Sequence, residues 1–395
     1  MTTVDESILP YPFNTAENLD LDPRYAIARD AATLPRVQLP FGEQAWLATR
    51  YEDVRTVLGD KRFSRAAAGD HDEPRVRAGQ QNTGILSMDP PDHTRLRVLV
   101  SKAFTMRRVE ALRPVVATLA DELAATMLDE GQPADLVDLF ALPLPVQVIC
   151  ELLGVPAEDR PRFRVWSDGV LSTTSLSAEQ FDANREELRD YMRGLIAIKR
   201  DRPADDLMSA LIGARDVDDK LSELELVDLC VGILVAGHET TATQIPNFVL
   251  YLLSNDGAWD RLRTDPSSIP GAVEELLRLV PLGLGGGQPR FALEDIMIGD
   301  TLVAAGDAVV VSIGAANRDP NRFDAPDLFD PERQESGHMG FGHGAHHCLG
   351  AALARMELQE ALRALTEHIP GLRIRDLEWK TEMVVRGPRK LEIEW

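Results

Sequence analysis

The run Phe341 to Gly350, FGHGAHHCLG, constrains this chain more than any other stretch of it. A lone cysteine, Cys348, closes a loop punctuated by Gly342, Gly344 and Gly350, and the residues from Ala351 to Leu358 read as a helix. Glycines permit positive φ and let a backbone approach a flat partner with no Cβ in the way. At the start of the following helix, N–H groups without intrahelical partners and the positive end of the dipole favour a thiolate over a thiol. Such a loop presents an anionic sulfur to an electrophile, and haem iron is a leading candidate. Two other readings compete. A single cysteine is more often an inert buried apolar residue, and His338, His343, His346 and His347 crowd it closely enough to raise zinc. Their spacing matches no standard zinc pattern, and adjacent His346 and His347 would point in different directions.

A long central helix is predicted from Ser222 to Leu253, where Ser222 and Glu225 form a capping box ahead of an apolar run. Inside it lies Ala236-Gly237-His238-Glu239-Thr240-Thr241. Hydroxyls and a charge in a largely buried helix are costly unless paired. The plain alternative is a threonine bonding back to the preceding turn, or a kink ahead of Pro246. His238-Glu239 begins HExxH, but Ala242 ends that pattern before a zinc pair can form.

Three further patterns are weak singly. Glu275 and Arg278 share a helix face at i, i+3, and Pro331-Glu332-Arg333 precedes the cysteine loop. His93 and Arg97 share a face at the start of another helix, by themselves an ordinary surface helix start. Leu282 to Gly287 is glycine-rich, but Gln288 breaks the GxGxxG fingerprint, so the chain carries no evident flavin or nicotinamide module.

Taken together these motifs resemble the cytochrome P450 family. The cysteine loop satisfies FGxGxHxCxG at every specified position, and Ala236 to Thr241 satisfies (A/G)Gx(D/E)T(T/S) in full. The resemblance spans nearly the whole chain and implies one domain, 1–395. Its fold would be mainly α with a small β portion, with haem between the central helix and the cysteine loop. It makes Cys348 the axial ligand of haem b, iron protoporphyrin IX, with His93, Arg97, Arg290 and His346 on the propionates. Gly237 would open the central helix beside dioxygen, Thr240 would support the oxygen side, and Glu239 would help bring protons through water. Glu275, Arg278 and Arg333 would be structural. Substrate contacts would come from Gly84 to Met88, Trp166 to Leu176, Val235 and Ala236, Leu282 to Gly287, and Met383-Val384. Leu86, Met88, Val235, Ala236, Leu282, Leu284 and Val384 are the chief candidates. These positions are mostly apolar, which points to a hydrophobic ligand.

Composition narrows the partners. A net charge of −22 argues against nucleic acid and anionic membranes. The N-terminus has no signal-peptide pattern and Leu229 to Gly237 is too short to span a bilayer, so the chain reads as soluble. Three cysteines cannot form a disulfide framework, which fits a reducing cytoplasm. Helical periodicity fits 92–128, 145–155, 183–200, 205–213, 222–253, 269–280 and 351–367, strands fit near 36–50, 296–313 and 371–395, and 319–333 reads as loop.

The resemblance then implies a soluble bacterial monooxygenase of the actinomycete type that tailors polyketides, macrolides and similar secondary metabolites. It would insert one atom of O2 into a small molecule with electrons from a ferredoxin and its reductase. Arg107, Arg108, Arg113 and Arg355 are the expected ferredoxin contacts. A member performing radical ring closure or coupling would look alike in sequence. A peroxide-driven relative usually lacks the acid–threonine pair, and a non-enzymatic haem sensor would not need it.

Overall fold

The computed structural model describes residues 8–77, 84–159, 166, 178–216, 220–285, 287–334, 337–381 and 383–395. Its organising element is the predicted central helix, Glu223–Ser254. The capping box forms: Glu225 N donates to Ser222 Oγ at 3.2 Å, and Ser222 N to Glu225 Oε2 at 2.7 Å. Every residue from Thr241 to Val249 is buried, so this part of the helix is enclosed on all sides. Around it pack Pro143–Leu153, Ala178–Asp201 and the cysteine helix, Ala351–His368.

The periodic stretch 92–128 is two helices, Asp92–Ser101 and Met106–Glu130. Thr105 adopts an extended backbone as the second helix's N-cap and breaks the run. The break buries Ala103 and brings the Phe104 ring to Gly350. A continuous apolar period cannot reveal such a corner, because both helices keep the same kind of face. Short helices at Arg24–Asp30, Tyr51–Gly59 and Ala258–Thr264 lie outside the periodic stretches.

The β portion is small. A six-stranded sheet runs in the order Ile8–Pro10, Arg36–Gln38, Ala45–Ala48, Ala308–Val311, Arg290–Ala292, Phe63–Ser64. The region 296–313 thus holds a separate hairpin, Ile296–Ile298 with Thr301–Val303, before the sheet strand. At the C-terminus Arg373–Trp379 pairs antiparallel with Pro388–Glu394, which also pairs with Ala134–Asp135. The fold is mainly α with a small β portion. Among the described residues no helix is long and apolar enough to cross a membrane.

The segment 319–333 has no regular structure and is held by side chains instead. Arg278 binds Glu275 with both prongs, at 2.7 and 2.8 Å, and Arg333 Nε reaches the same carboxylate at 3.0 Å. The two guanidiniums then donate to carbonyls of Asn317, Asp324, Ala325, Pro326 and Leu328. Burial acts to raise the Glu275 carboxyl, but the arginines outweigh it and hold the group below the usual range. Loop carbonyls without a ladder need donors of their own. This triad supplies them directly before the cysteine loop.

Candidate active site

Cys348 N donates to Phe341 O at 2.8 Å and Gly342 N to Met339 O at 2.8 Å, closing the loop on itself. Gly344 has φ +71°, and a Cβ there would lie 2.3 Å from Leu58 O, so glycine is required for the loop to seat on helix Tyr51–Gly59. Arg97 Nη2 donates to His347 O, and the Arg355 guanidinium lies over Phe341 at 4.6 Å. Cys348 is accessible, yet its surroundings are crowded enough that burial pushes the thiol up, against the Gly350 N–H, Arg97 and Arg355. The N–H at the helix start acts in the expected direction but, against burial, does not by itself ionise the thiol. A coordinated metal ion does so outright.

The histidines near the cysteine part ways. His338 Nε2 hydrogen-bonds Glu274 at 3.0 Å, whereas the His346 ring lies tilted against His93 with centroids 4.3 Å apart. Arg290, on the strand Arg290–Ala292, is buried and donates to the Gln288 and Pro289 carbonyls at 3.1 and 3.4 Å. Burial, then the Arg290 charge and His93, push His346 down to about 4. Burial, Arg97 and Arg290 lower His93 as well. Among the described residues, the buried His346 Nε2 has no hydrogen-bond partner. Donors and cations pressed together in this way, with one nitrogen left unpaired, are the wrong arrangement for a self-contained core and the right one for an anion. The donor set fits haem propionates, with Cys348 available to the iron.

On the central helix the predicted residues divide. Glu239 is buried; its Oε1 accepts from Lys380 Nζ at 2.7 Å and from Thr243 Oγ1 at 3.3 Å. Thr240 is half-buried and its hydroxyl donates to Ala236 O at 2.9 Å. This back-bond is the plain alternative weighed for it. A Cβ on Gly237 would lie 2.6 Å from Ile149 Cδ1, so this glycine admits the neighbouring helix Pro143–Leu153.

The pocket candidates are only partly assembled. Arg386 N donates to Leu282 O at 2.7 Å and Leu284 N to Val384 O at 3.4 Å, so Leu282, Leu284 and Val384 share one seam. Val235 and Ala236 stand one turn before Thr240 on the central helix. Met88 is partly buried, and Leu86 is 52% exposed in the turn Ile85–Ser87. Trp166 is buried, tilted against Tyr191, in the apolar cluster on which Met88 and Val235 also pack; 167–176 and Gly286 lie outside the described residues.

Sequence reasoning missed two groups. Lys380, alone at the end of a C-terminal strand, gives no local signal, and only the return of the chain buries it beside Glu239. Glu357, on the cysteine helix, is 1% exposed, and among the described residues neither carboxyl oxygen makes a hydrogen bond of full geometry, although Thr241 lies close by. Burial pushes its carboxyl well above the usual range, with Thr241 acting in the opposite sense. Its exception to the helix's apolar face was the available cue.

The comparisons agree with this geometry. The cytochrome P450 family model matches residues 171–369. The chain is 50% identical over 389 residues, 98% of each sequence, to the mycinamicin IV hydroxylase/epoxidase of Micromonospora griseorubida. It is 48% identical over 391 residues, again 98% of each, to the nocardicin C N-oxygenase of Nocardia uniformis subsp. tsuyamanensis. The crystal structure of HinD with NMFT and NO superposes with a TM-score of 0.94 at 46% identity, covering 98% of this chain and 99% of that one. With sequence and three-dimensional likeness both running almost end to end, the chain belongs to the cytochrome P450 family and is a haem-iron monooxygenase.

Proposed function

We propose that this single-domain enzyme, cytoplasmic and carrying haem b, oxygenates a hydrophobic secondary metabolite of the polyketide or macrolide kind. The observation that carries the reading is the apolar seam of Leu282, Leu284 and Val384, fastened beside the central-helix face that holds Glu239. The relatives named for mycinamicin IV and nocardicin C support a natural-product substrate, and their difference leaves its identity to this chain's own pocket.

Bound haem iron supplies the activation of O2. The chain's residues do the rest. Cys348 would hold the iron, and His93, Arg97, Arg290 and His346 would neutralise the propionates. Thr240 would offer its hydroxyl on the oxygen side, and Glu239 would feed protons toward it through water. One oxygen atom enters the substrate and the other leaves as water, consuming two electrons and two protons. A ferredoxin and its reductase would deliver the electrons, because the chain has no nucleotide-binding fingerprint of its own.

The test is a binding screen of natural products against the purified holoprotein by haem absorption, followed by turnover with NADH, reductase and ferredoxin. A product heavier by one oxygen atom supports the proposal. A product lighter by two hydrogens assigns coupling or ring closure instead, and binding with no NADH-dependent product would leave a sensor.

A further inference from the structure

Glu239 is directed along the helix to Thr243, not across to Thr240. Lys380 Nζ contacts both, at 2.7 Å from Glu239 Oε1 and 2.9 Å from Thr243 Oγ1. The side chains of Lys380 and Glu239 are 8% and 4% exposed, so this ion pair has little water to replace either partner. Removing one member of such a pair leaves an uncompensated buried charge.

The lysine also belongs to the turn that carries Val384. Its N–H donates to Gly387 O at 2.9 Å, closing the turn between strands Arg373–Trp379 and Pro388–Glu394. A Cβ on Gly387 would lie 2.7 Å from Thr243 Cγ2 and 2.6 Å from Asn247 Oδ1, and Asn247 Nδ2 donates to Arg386 O at 2.9 Å. Glu239, Thr243 and Asn247 recur at intervals of four and so share one helix face. Lys380 on one side of the turn and Arg386 and Gly387 on the other are therefore tied to that face, while Val384 and Arg386 pair with Leu284 and Leu282.

We propose that Lys380 is a positioning residue for the proton relay: it holds the Glu239 carboxylate toward Thr243 and locks it to the turn that carries Val384. This deepens the proposed function and rests on Glu239 acting as the relay acid. One side chain then sets the geometry of both proton delivery and the substrate wall. Without it, Glu239 is a buried carboxylate lacking its cation, takes up a proton and loses its fixed direction. Oxygen activation then proceeds with poorly directed protons, and more O2 leaves as peroxide after taking two electrons and two protons.

The test compares wild-type holoprotein with Lys380→Met, Lys380→Arg and Lys380→Met/Glu239→Gln by infrared difference spectroscopy at neutral pH. A carboxylic-acid C=O band should appear in Lys380→Met and be absent from the double variant and from Lys380→Arg. Peroxide released per NADH should rise several-fold in Lys380→Met and return toward wild type in Lys380→Arg. If Lys380→Met loses haem, Lys380→Gln, which keeps a donor but no charge, carries the same two measurements. Absence of the new band, or a band with unchanged peroxide yield, overturns the proposal. Failure of Glu239 as relay acid is distinguished by Glu239→Gln with Lys380 intact, which would then couple like wild type.

Discussion

Arg355 grips Glu274 with two prongs, Nε to Oε1 at 2.7 Å and Nη2 to Oε2 at 3.0 Å. His338 takes the same carboxylate at 3.0 Å. Burial would raise Glu274, but His338 and Arg355 outweigh it and bring the group down to about 2. One carboxylate on helix Ile269–Leu279 thereby joins the residues ahead of the cysteine loop to the helix behind it. Arg113 is committed in the same manner, to Glu110, Gln359 and Glu360. Of the four arginines anticipated as ferredoxin contacts, these two have carboxylate partners within the chain. Arg107 and Arg108 are exposed in the first turn of Met106–Glu130.

Docking by a ferredoxin should therefore depend chiefly on Arg107 and Arg108. Charge pairing at a transient contact acts mainly on encounter rate and is screened by salt. Arg108→Glu should slow stopped-flow reduction at low ionic strength, with the difference from wild type shrinking as salt is added. Arg355→Gln should lower thermal stability more than it changes reduction. Reduction rates independent of salt, and equal in wild type and Arg108→Glu, would place the docking face elsewhere.

Glu357 should give the enzyme an unusual pH dependence of stability. Its folded-state carboxyl lies well above the ordinary value of 4.5, so the native state keeps a proton that the unfolded chain releases. Unfolding then releases a proton, and this group's contribution falls as pH rises above 4.5 toward the folded value. Glu357→Gln keeps the shape without the titration. Urea melts across the acid to neutral range should show the variant gaining on wild type as pH increases. Parallel stability curves would remove Glu357 as the source.

The local parts of the site were legible in the sequence because they depend on spacing. The capping box at Ser222, the Glu275–Arg278 pair and the glycines around Cys348 are short patterns whose geometry follows from one helix or one loop. Lys380 with Glu239 is a different case, since two distant segments must meet before either charge has a meaning. Gly237 marks the same limit: its motif identified the helix, but the reason a side chain is excluded there is Ile149 on another helix. The corner at Thr105 was hidden because an apolar period continues through it.

The Glu275–Arg278–Arg333 triad should be structural. Arg278→Ala removes five donor contacts and leaves a buried carboxylate held by Arg333 and the Asp330 N–H, a loss of about 3–5 kcal/mol. Arg278→Lys should recover little, because an ammonium cannot serve both carboxylate oxygens and three carbonyls in fork geometry. Chemical denaturation and haem retention after gel filtration measure this. Full retention of haem and stability in Arg278→Ala would refute it.

Thr240 is where the two readings of the motif separate. Its hydroxyl donates to Ala236 O at 2.9 Å, which satisfies the preceding turn and, by itself, would give the residue no part in chemistry. A hydroxyl has lone pairs left to accept with while it donates, so the same back-bond also holds the oxygen in place for a proton donor on the haem side. Thr240→Ala should leave folding and substrate binding nearly unchanged, as the site is half-buried and only a neutral hydrogen bond is lost, worth about 1 kcal/mol. Product per NADH should fall and peroxide should rise. Thr240→Ser keeps the hydroxyl and should restore coupling, which a purely structural role for the methyl group would not. Thr241→Ala is a poor control because Thr241 is buried and acts on Glu357, so the comparison should be made with Thr240→Ser. Equal coupling in wild type, Thr240→Ser and Thr240→Ala would remove Thr240 from the relay and leave the back-bond as its whole function.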